Sequence, residues 1–181
     1  MTDCTTSRNG SEGLIIGVGS TIEGCTAFEN NANGISAGLG SSVVHCTTYS
    51  NGTNGILMAN SGFLITTNPA SGRIEGCVSR GNAGNGILVG SRCYVQENNC
   101  AGNVFVGILV TGSACRIDLN HCTSGQRGFG INGTDNLIIR NSAQGASVLN
   151  YDIVAGNHDA ARVTSPGASF ASTSPWANFS F

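Results

Sequence analysis

The chain repeats itself at a period too short for an ordinary globular unit. Cys4, Cys25, Cys46 and Cys77, continued by Asn98, Asn120 and Asn141, recur at steps of 21, 21, 31, 21, 22 and 21 residues. Other columns keep pace with these anchors. Three positions before them stand Ile22, Val43, Ile74, Val95, Ile117 and Ile138. Five positions after them stand Asn9, Asn30, Asn51, Asn82 and Asn103. Nine or ten positions after come glycine–aliphatic pairs, from Gly13-Leu14, Gly34-Ile35 and Gly55-Ile56 to Gly86-Ile87, Gly107-Ile108 and Gly130-Ile131. A unit of this size cannot bury its apolar face alone, so copies must stack into a solenoid.

The content of the repeat selects among solenoids. Each unit offers two short segments of alternating apolar and polar residues, typified by 21–25 and 34–37, the period of a strand with one buried face. No unit holds ten residues of helical periodicity, and the several fixed leucines of a leucine-rich repeat are missing. The 27 glycines and 10 % charged residues fit tight turns around a narrow core, and 40 % hydrophobic content rules against disorder. The sequence therefore predicts an all-β fold, a parallel β-helix of about seven coils. At a rise of about 4.8 Å per coil it would be roughly 30–35 Å long. The asparagine column would bend the chain in the left-handed conformation and hydrogen-bond from coil to coil. Residues 1–156 would form the coils, with an insertion at about 58–72, and 157–181 a C-terminal tail closing the open end. The Phe63-Leu64-Ile65 run of the insertion is expected to pack on the rod rather than gate a groove.

The segments Asn33-Gly34-Ile35, Asn54-Gly55-Ile56 and Asn85-Gly86-Ile87, the asparagine ladder and the I-x-x-C segments resemble the right-handed parallel β-helix proteins of the pectin-lyase-like group. The closing stretch 174–179 is similar to the ends of bacterial β-helix proteins of uncharacterised function. The resemblance implies a right-handed helix and an exported parent protein. This chain shows no signal peptide, and its start within repeat sequence suggests a fragment of something longer.

Eight cysteines raise the question of bridges or metal. There is no C-x-x-C, and His45, His121 and His158 lack zinc-finger spacing, so no metal is expected. The cysteine offsets follow the coil period, which favours a stack of buried reduced thiols. Bridges Cys93–Cys115 or Cys100–Cys122 remain open.

Function on such a rod is expected on outward side chains and on loops that leave the regular coil. Two columns, two and four positions before the anchor, gather Arg73, Glu75, Tyr94, Gln96, Arg116 and Asp118 on one face. These are the candidate ligand-binding residues. The plainer alternative is a solvated surface with ion pairs Arg73–Glu75 and Arg116–Asp118. Adjacent Asp-Asp and Gly-His-Gly signatures are absent, and no residue is assigned a catalytic role. The expected function is a non-catalytic scaffold or surface module able to bind carbohydrate on this face. The alternative is a polysaccharide lyase or glycoside hydrolase on a uronate polymer, the only case calling for a cofactor, Ca2+. An ice-binding surface would need a flat threonine array, which Thr5-Thr6 and Thr47-Thr48 do not supply.

A second column, Ile15, Ser36, Leu57, Leu88, Leu109 and Asn132, should point outward, with Leu57, Leu88 and Leu109 an apolar contact stripe. The tail aromatics Phe170, Trp176, Phe179 and Phe181, or a second subunit, are expected to cover it. Self-association through this stripe or the N-terminal coil is the expected protein contact, beside a polysaccharide. A net charge of −2 with no lysine leaves no footprint for nucleic acid, and no apolar run is long enough for membrane insertion.

Overall fold

A computed structural model describes residues 1–58, 71–164 and 172–181. Its described residues form three parallel sheets wound as one β-helix of about seven coils, without helices. Sheet one stacks Thr21–Glu23, Ser42–Val44, Gly72–Glu75, Cys93–Gln96, Arg116–Asp118, Leu137–Ile139 and His158–Asp159. Sheet two runs from Thr5–Ser7 through Thr26–Phe28, Thr47–Tyr49, Val78–Arg80, Asn99–Ala101 and His121–Thr123 to Ser142–Gln144. It ends in the tail strands Asn178–Ser180 and Arg162–Thr164. Sheet three comprises Leu14–Ile16, Ile35–Ala37, Ile56–Met58, Ile87–Val89, Val106–Val110, Arg127–Ile131 and Leu149–Ile153.

Each coil thus has three strands where the sequence pattern suggested two. The 21–25 segment breaks at Gly24 (φ 63°), and Cys25 sits at the corner before the next strand. The same corner recurs in front of every anchor, at Asp3, His45, Gly76, Glu97, Leu119 and Arg140, all with φ between 50° and 60°. The left-handed residue is therefore the one preceding the ladder. Arg8, Glu29, Ser50, Gly81 and Gly102 occupy it before Asn9, Asn30, Asn51, Asn82 and Asn103. This corrects the expectation that asparagine itself takes that conformation. Asparagine follows the corner because its amide must reach inward and along the axis.

That amide is fully used. Asn51 Nδ2 donates to Asn82 Oδ1 at 3.0 Å and to the Ala27 carbonyl at 3.0 Å. Its Oδ1 accepts Asn30 Nδ2 at 2.9 Å and the Asn30 backbone N–H at 3.2 Å. The step repeats along Asn9–Asn30–Asn51–Asn82–Asn103 and again along Asn98–Asn120–Asn141–Asn178. Satisfied buried amides of this kind fix register, because any slip would orphan several groups at once. Inside them Ile22, Val43, Ile74, Val95, Ile117 and Ile138 stack with no exposure. Truncating one such isoleucine to alanine costs about 2–5 kcal/mol.

The glycine of each Asn-Gly-Ile segment is explained by close approach. A Cβ on Gly34 would lie 2.8 Å from the Gly55 carbonyl oxygen, and one on Gly86 2.5 Å from that of Gly107. In the last coils the column continues to Gly128-Phe129, which pairs with Gly107-Ile108, not to Gly130-Ile131. The apolar stripe accordingly passes from Leu109 to Gly130, not to Asn132. The register error arose because Gly130-Ile131 imitates the motif two residues late.

The tail closes the rod by continuing its ladder. Asn178, fully buried, accepts the Asn141 N–H at 2.9 Å, and Asn178–Ser180 pairs with Ser142–Gln144 in sheet two. That position takes Phe179 away from the leucine stripe of sheet three, and Trp176 lies beside Arg140. The expectation that the tail covers the stripe is not met by the described residues. Phe170 and 59–70 of the insertion, including Phe63-Leu64-Ile65, lie outside them.

All eight cysteines are free, and all but Cys4 are buried. They follow the coil register: Cys4–Cys25–Cys46–Cys77 share the anchor column, while Cys100 and Cys122 are partners across adjacent strands. Burial pushes the Cys122 thiol well above its ordinary value.

Candidate functional site

The sequence-derived face forms on sheet one. Tyr94 pairs with Arg73 on one side and Arg116 on the other, and Gln96 with Glu75 and Asp118, so the six residues occupy three successive strands. Strand alternation turns them outward because Ile74, Val95 and Ile117 between them point into the core.

Their environments differ sharply. Arg73 is half exposed and its guanidinium pairs with Glu75. Tyr94 is 38 % exposed and lies under Arg116, with Arg116 Cζ 5.6 Å from the ring centre. Asp118 is 2 % exposed and held by two arginines. Arg116 Nη2 donates to its Oδ2 at 2.9 Å, Arg140 Nε donates to Oδ1 at 2.8 Å, and Arg140 Nη2 also reaches Oδ2. Burial raises the Asp118 pKa, but the hydrogen bonds and charges of Arg140 and Arg116 outweigh it and hold the carboxyl below the usual value. Asp118 raises the Arg140 pKa in return.

Arg140 was outside the two columns read from the sequence, since it occupies the corner before the Asn141 anchor (φ 55°). Its company explains its importance: Trp176, 50 % exposed, lies with its ring centre 5.3 Å from Arg140 Cζ. Beyond Arg116 and Asp118 the same columns turn apolar with Leu137 and Ile139. These two, with Arg116, His158, Asp159 and Trp176, line a groove of about 540 Å³. Asp159 is engaged by Arg162 at 2.6 Å and by Asn178 Nδ2 at 2.9 Å. The tail residues of this groove carried no repeat signal and could not have been placed from periodicity.

Of the six residues, Glu75 and Asp118 are held by arginines, so guanidinium groups and a ring are what they offer a ligand. Guanidinium groups can bind carboxylates with paired N–H donors, and aromatic rings can lie against the C–H face of a sugar. Among the described residues no cluster of three or more His, Cys, Asp or Glu is placed to hold a metal ion, and no helix is long and apolar enough to cross a membrane.

The fold with this face defines a parallel β-helix protein, and solved structures of that class are similar to it throughout. The A-module of the Azotobacter vinelandii mannuronan C-5 epimerase AlgE4 superposes with a TM-score of 0.77 at 17 % identity, over 99 % of this chain and 52 % of that one. The A-module of the AlgE6 epimerase from the same organism gives 0.70 at 17 % identity, over 99 % and 56 %. Pectate lyase Pel9A gives 0.56 at 16 % identity, over 84 % and 45 %. The chain spans about half the length of these structures. No protein-family model and no curated sequence matches it.

Proposed function

We propose that the chain is a carbohydrate-binding β-helix module whose sheet-one face takes an acidic polysaccharide without breaking it. One observation carries this reading: Asp118 is buried beneath Arg116 and Arg140 while Tyr94 and Trp176 flank the same guanidinium groups. The face keeps guanidinium edges for uronate carboxylates and apolar ring surface for pyranose C–H groups. The names of the structural neighbours, an epimerase of mannuronan and a pectate lyase, support a polysaccharide as the partner class.

The hydrolase alternative asks for a carboxylic acid with a raised pKa, to protonate the leaving oxygen. Asp118 is shifted the other way, and Glu75 is paired with Arg73. With both carboxylates engaged by arginine, binding is expected to be independent of Ca2+. The lyase alternative keeps one supporting feature, the Tyr94 ring under Arg116, which sets a phenol side chain next to a carboxylate binder.

Titration calorimetry with polymannuronate, polyguluronate and polygalacturonate against a neutral glucan tests the proposal. The expected result is salt-sensitive binding of a uronate polymer, weakened at least about tenfold by Arg116→Ala or Trp176→Ala. Neutral-glucan binding that Arg116→Ala weakens as much as uronate binding, or no uronate binding at all, would remove the reading. Appearance of unsaturated sugar absorbance, lost in Tyr94→Phe, would replace it with the lyase.

A further inference from the structure

A second feature lies on sheet three, apart from the sheet-one face. The outward column there runs Ile15, Ser36, Leu57, Leu88, Leu109, and then loses its side chain at Gly130 before reaching Asp152. Gly130 is buried and its backbone is not in the left-handed region, so the position uses the missing side chain rather than glycine's freedom. A Cβ there would lie 3.2 Å from Leu109 Cδ1 and 3.3 Å from Val106 Cγ1. The result is a notch of about 280 Å³ at the end of the leucine stripe.

The rim of the notch is chemically mixed. Phe105, 48 % exposed, supplies a ring. Arg127 and Asp152 face one another at 2.8 Å, with both side chains about 40 % exposed (39 % and 40 %). Gln126 and Asn132 are exposed amides that make no side-chain hydrogen bond among the described residues.

We propose that this notch is a second binding site, for one neutral pyranose unit of a glycan. The Arg127–Asp152 pair cancels its own charge, so neither an anion nor a cation gains from entering. Guanidinium, carboxylate and two amides are planar groups that each donate or accept more than one hydrogen bond, the requirement for neighbouring hydroxyls on one ring. Phe105 and Leu109 give apolar surface to the C–H face of the same ring. The volume accommodates a single ring, so a polymer would be held by one residue or by its end. The site shares no residue with the Arg116 face and does not depend on its function.

The test is NMR of the labelled side-chain amides of Gln126 and Asn132, titrated with methyl glucoside, methyl mannoside, methyl galactoside and methyl glucuronide. Saturable shifts with at least one neutral glycoside, and weaker ones with the glucuronide, are expected. Gly130→Leu, which continues the stripe through the notch, should weaken that binding at least about tenfold, as should Phe105→Ala at the exposed rim. Arg116→Ala should leave it unchanged, and absence of uronate binding by the unmutated protein would sink only the sheet-one reading. Unshifted amides with every neutral glycoside, or wild-type binding in both Gly130→Leu and Phe105→Ala, would overturn the proposal. A change of oligomeric state in Gly130→Leu without any sugar response would assign the notch to self-association instead.

Discussion

Asn98 takes over from Cys77 the hydrogen-bond role that Cys77 plays for Cys46. The Cys46 N–H donates to Cys77 Sγ at 3.4 Å, and the Cys77 N–H donates to Asn98 Oδ1 at 2.9 Å. A second column makes the same change, Cys93 N–H to Cys115 Sγ at 3.2 Å and Cys115 N–H to Asn136 Oδ1 at 2.8 Å. The side chain after the left-handed corner therefore serves as acceptor for the coil before it, and sulfur or amide oxygen will do.

Substitutions in this column should follow that rule. Cys77→Asn would gain a stronger acceptor and an amide able to reach the Val43 carbonyl, which the thiol meets at 3.6 Å. It should hold or raise stability by about 0.5–1.5 kcal/mol, whereas Cys77→Ala should lower it, as read from urea unfolding. A Cys77→Asn variant weaker than Cys77→Ala would contradict the acceptor role.

The Asn ladder should be less forgiving. Asn51→Ala removes four hydrogen bonds at a buried site and leaves the Asn30 N–H without its acceptor. A loss of about 2–4 kcal/mol is expected in the same unfolding experiment.

Leu119 is 45 % exposed and sits at φ 55°, where Gly24 and Gly76 stand in other coils. A left-handed leucine costs roughly 1–2 kcal/mol, and glycine's extra chain entropy offsets part of the relief. Leu119→Gly should therefore stabilise by about 0.5–1 kcal/mol, visible as a higher midpoint in urea.

Asp118 makes the rod acid-sensitive. Its folded pKa lies below the unfolded value of about 3.9, so its contribution is complete above that value and is lost as pH falls through the folded one. Asp118→Asn should cost about 1–2 kcal/mol at pH 7 and flatten the stability profile below about pH 4. Urea midpoints measured from pH 7 to pH 3 would show an unchanged acid limb if the assignment is wrong.

Thiol titration distinguishes stacked thiols from bridges. Denatured protein kept free of reductant should yield eight thiols, and native protein should react quickly only at Cys4. Fewer than eight in the denatured sample would mean that a pair such as Cys100–Cys122 is bridged.

Repetition made the core legible. Ile22, Val43 and Ile74 meet the same neighbour in every coil, so one contact is written many times and alignment of the chain on itself recovers it. The six-residue face could be read for the same reason, since Arg73, Tyr94 and Arg116 share a column. What occurs once left no such trace. Arg140 reaches Asp118 from a corner, and Trp176 arrives from the tail. Gly130 was hidden by the imitation of the repeat at Gly130-Ile131.

The sequence by itself determined the stacked coils, the ladder and the two outward columns, because a buried period tolerates only residues that fit beside their own copies. Only the tertiary structure decided that each coil bends three times and that asparagine follows the left-handed corner. It also decided that Asp118 is buried between two arginines and that the leucine stripe ends in a notch. Those features depend on side chains from different coils and from the tail converging in space. No period along the chain encodes such a meeting.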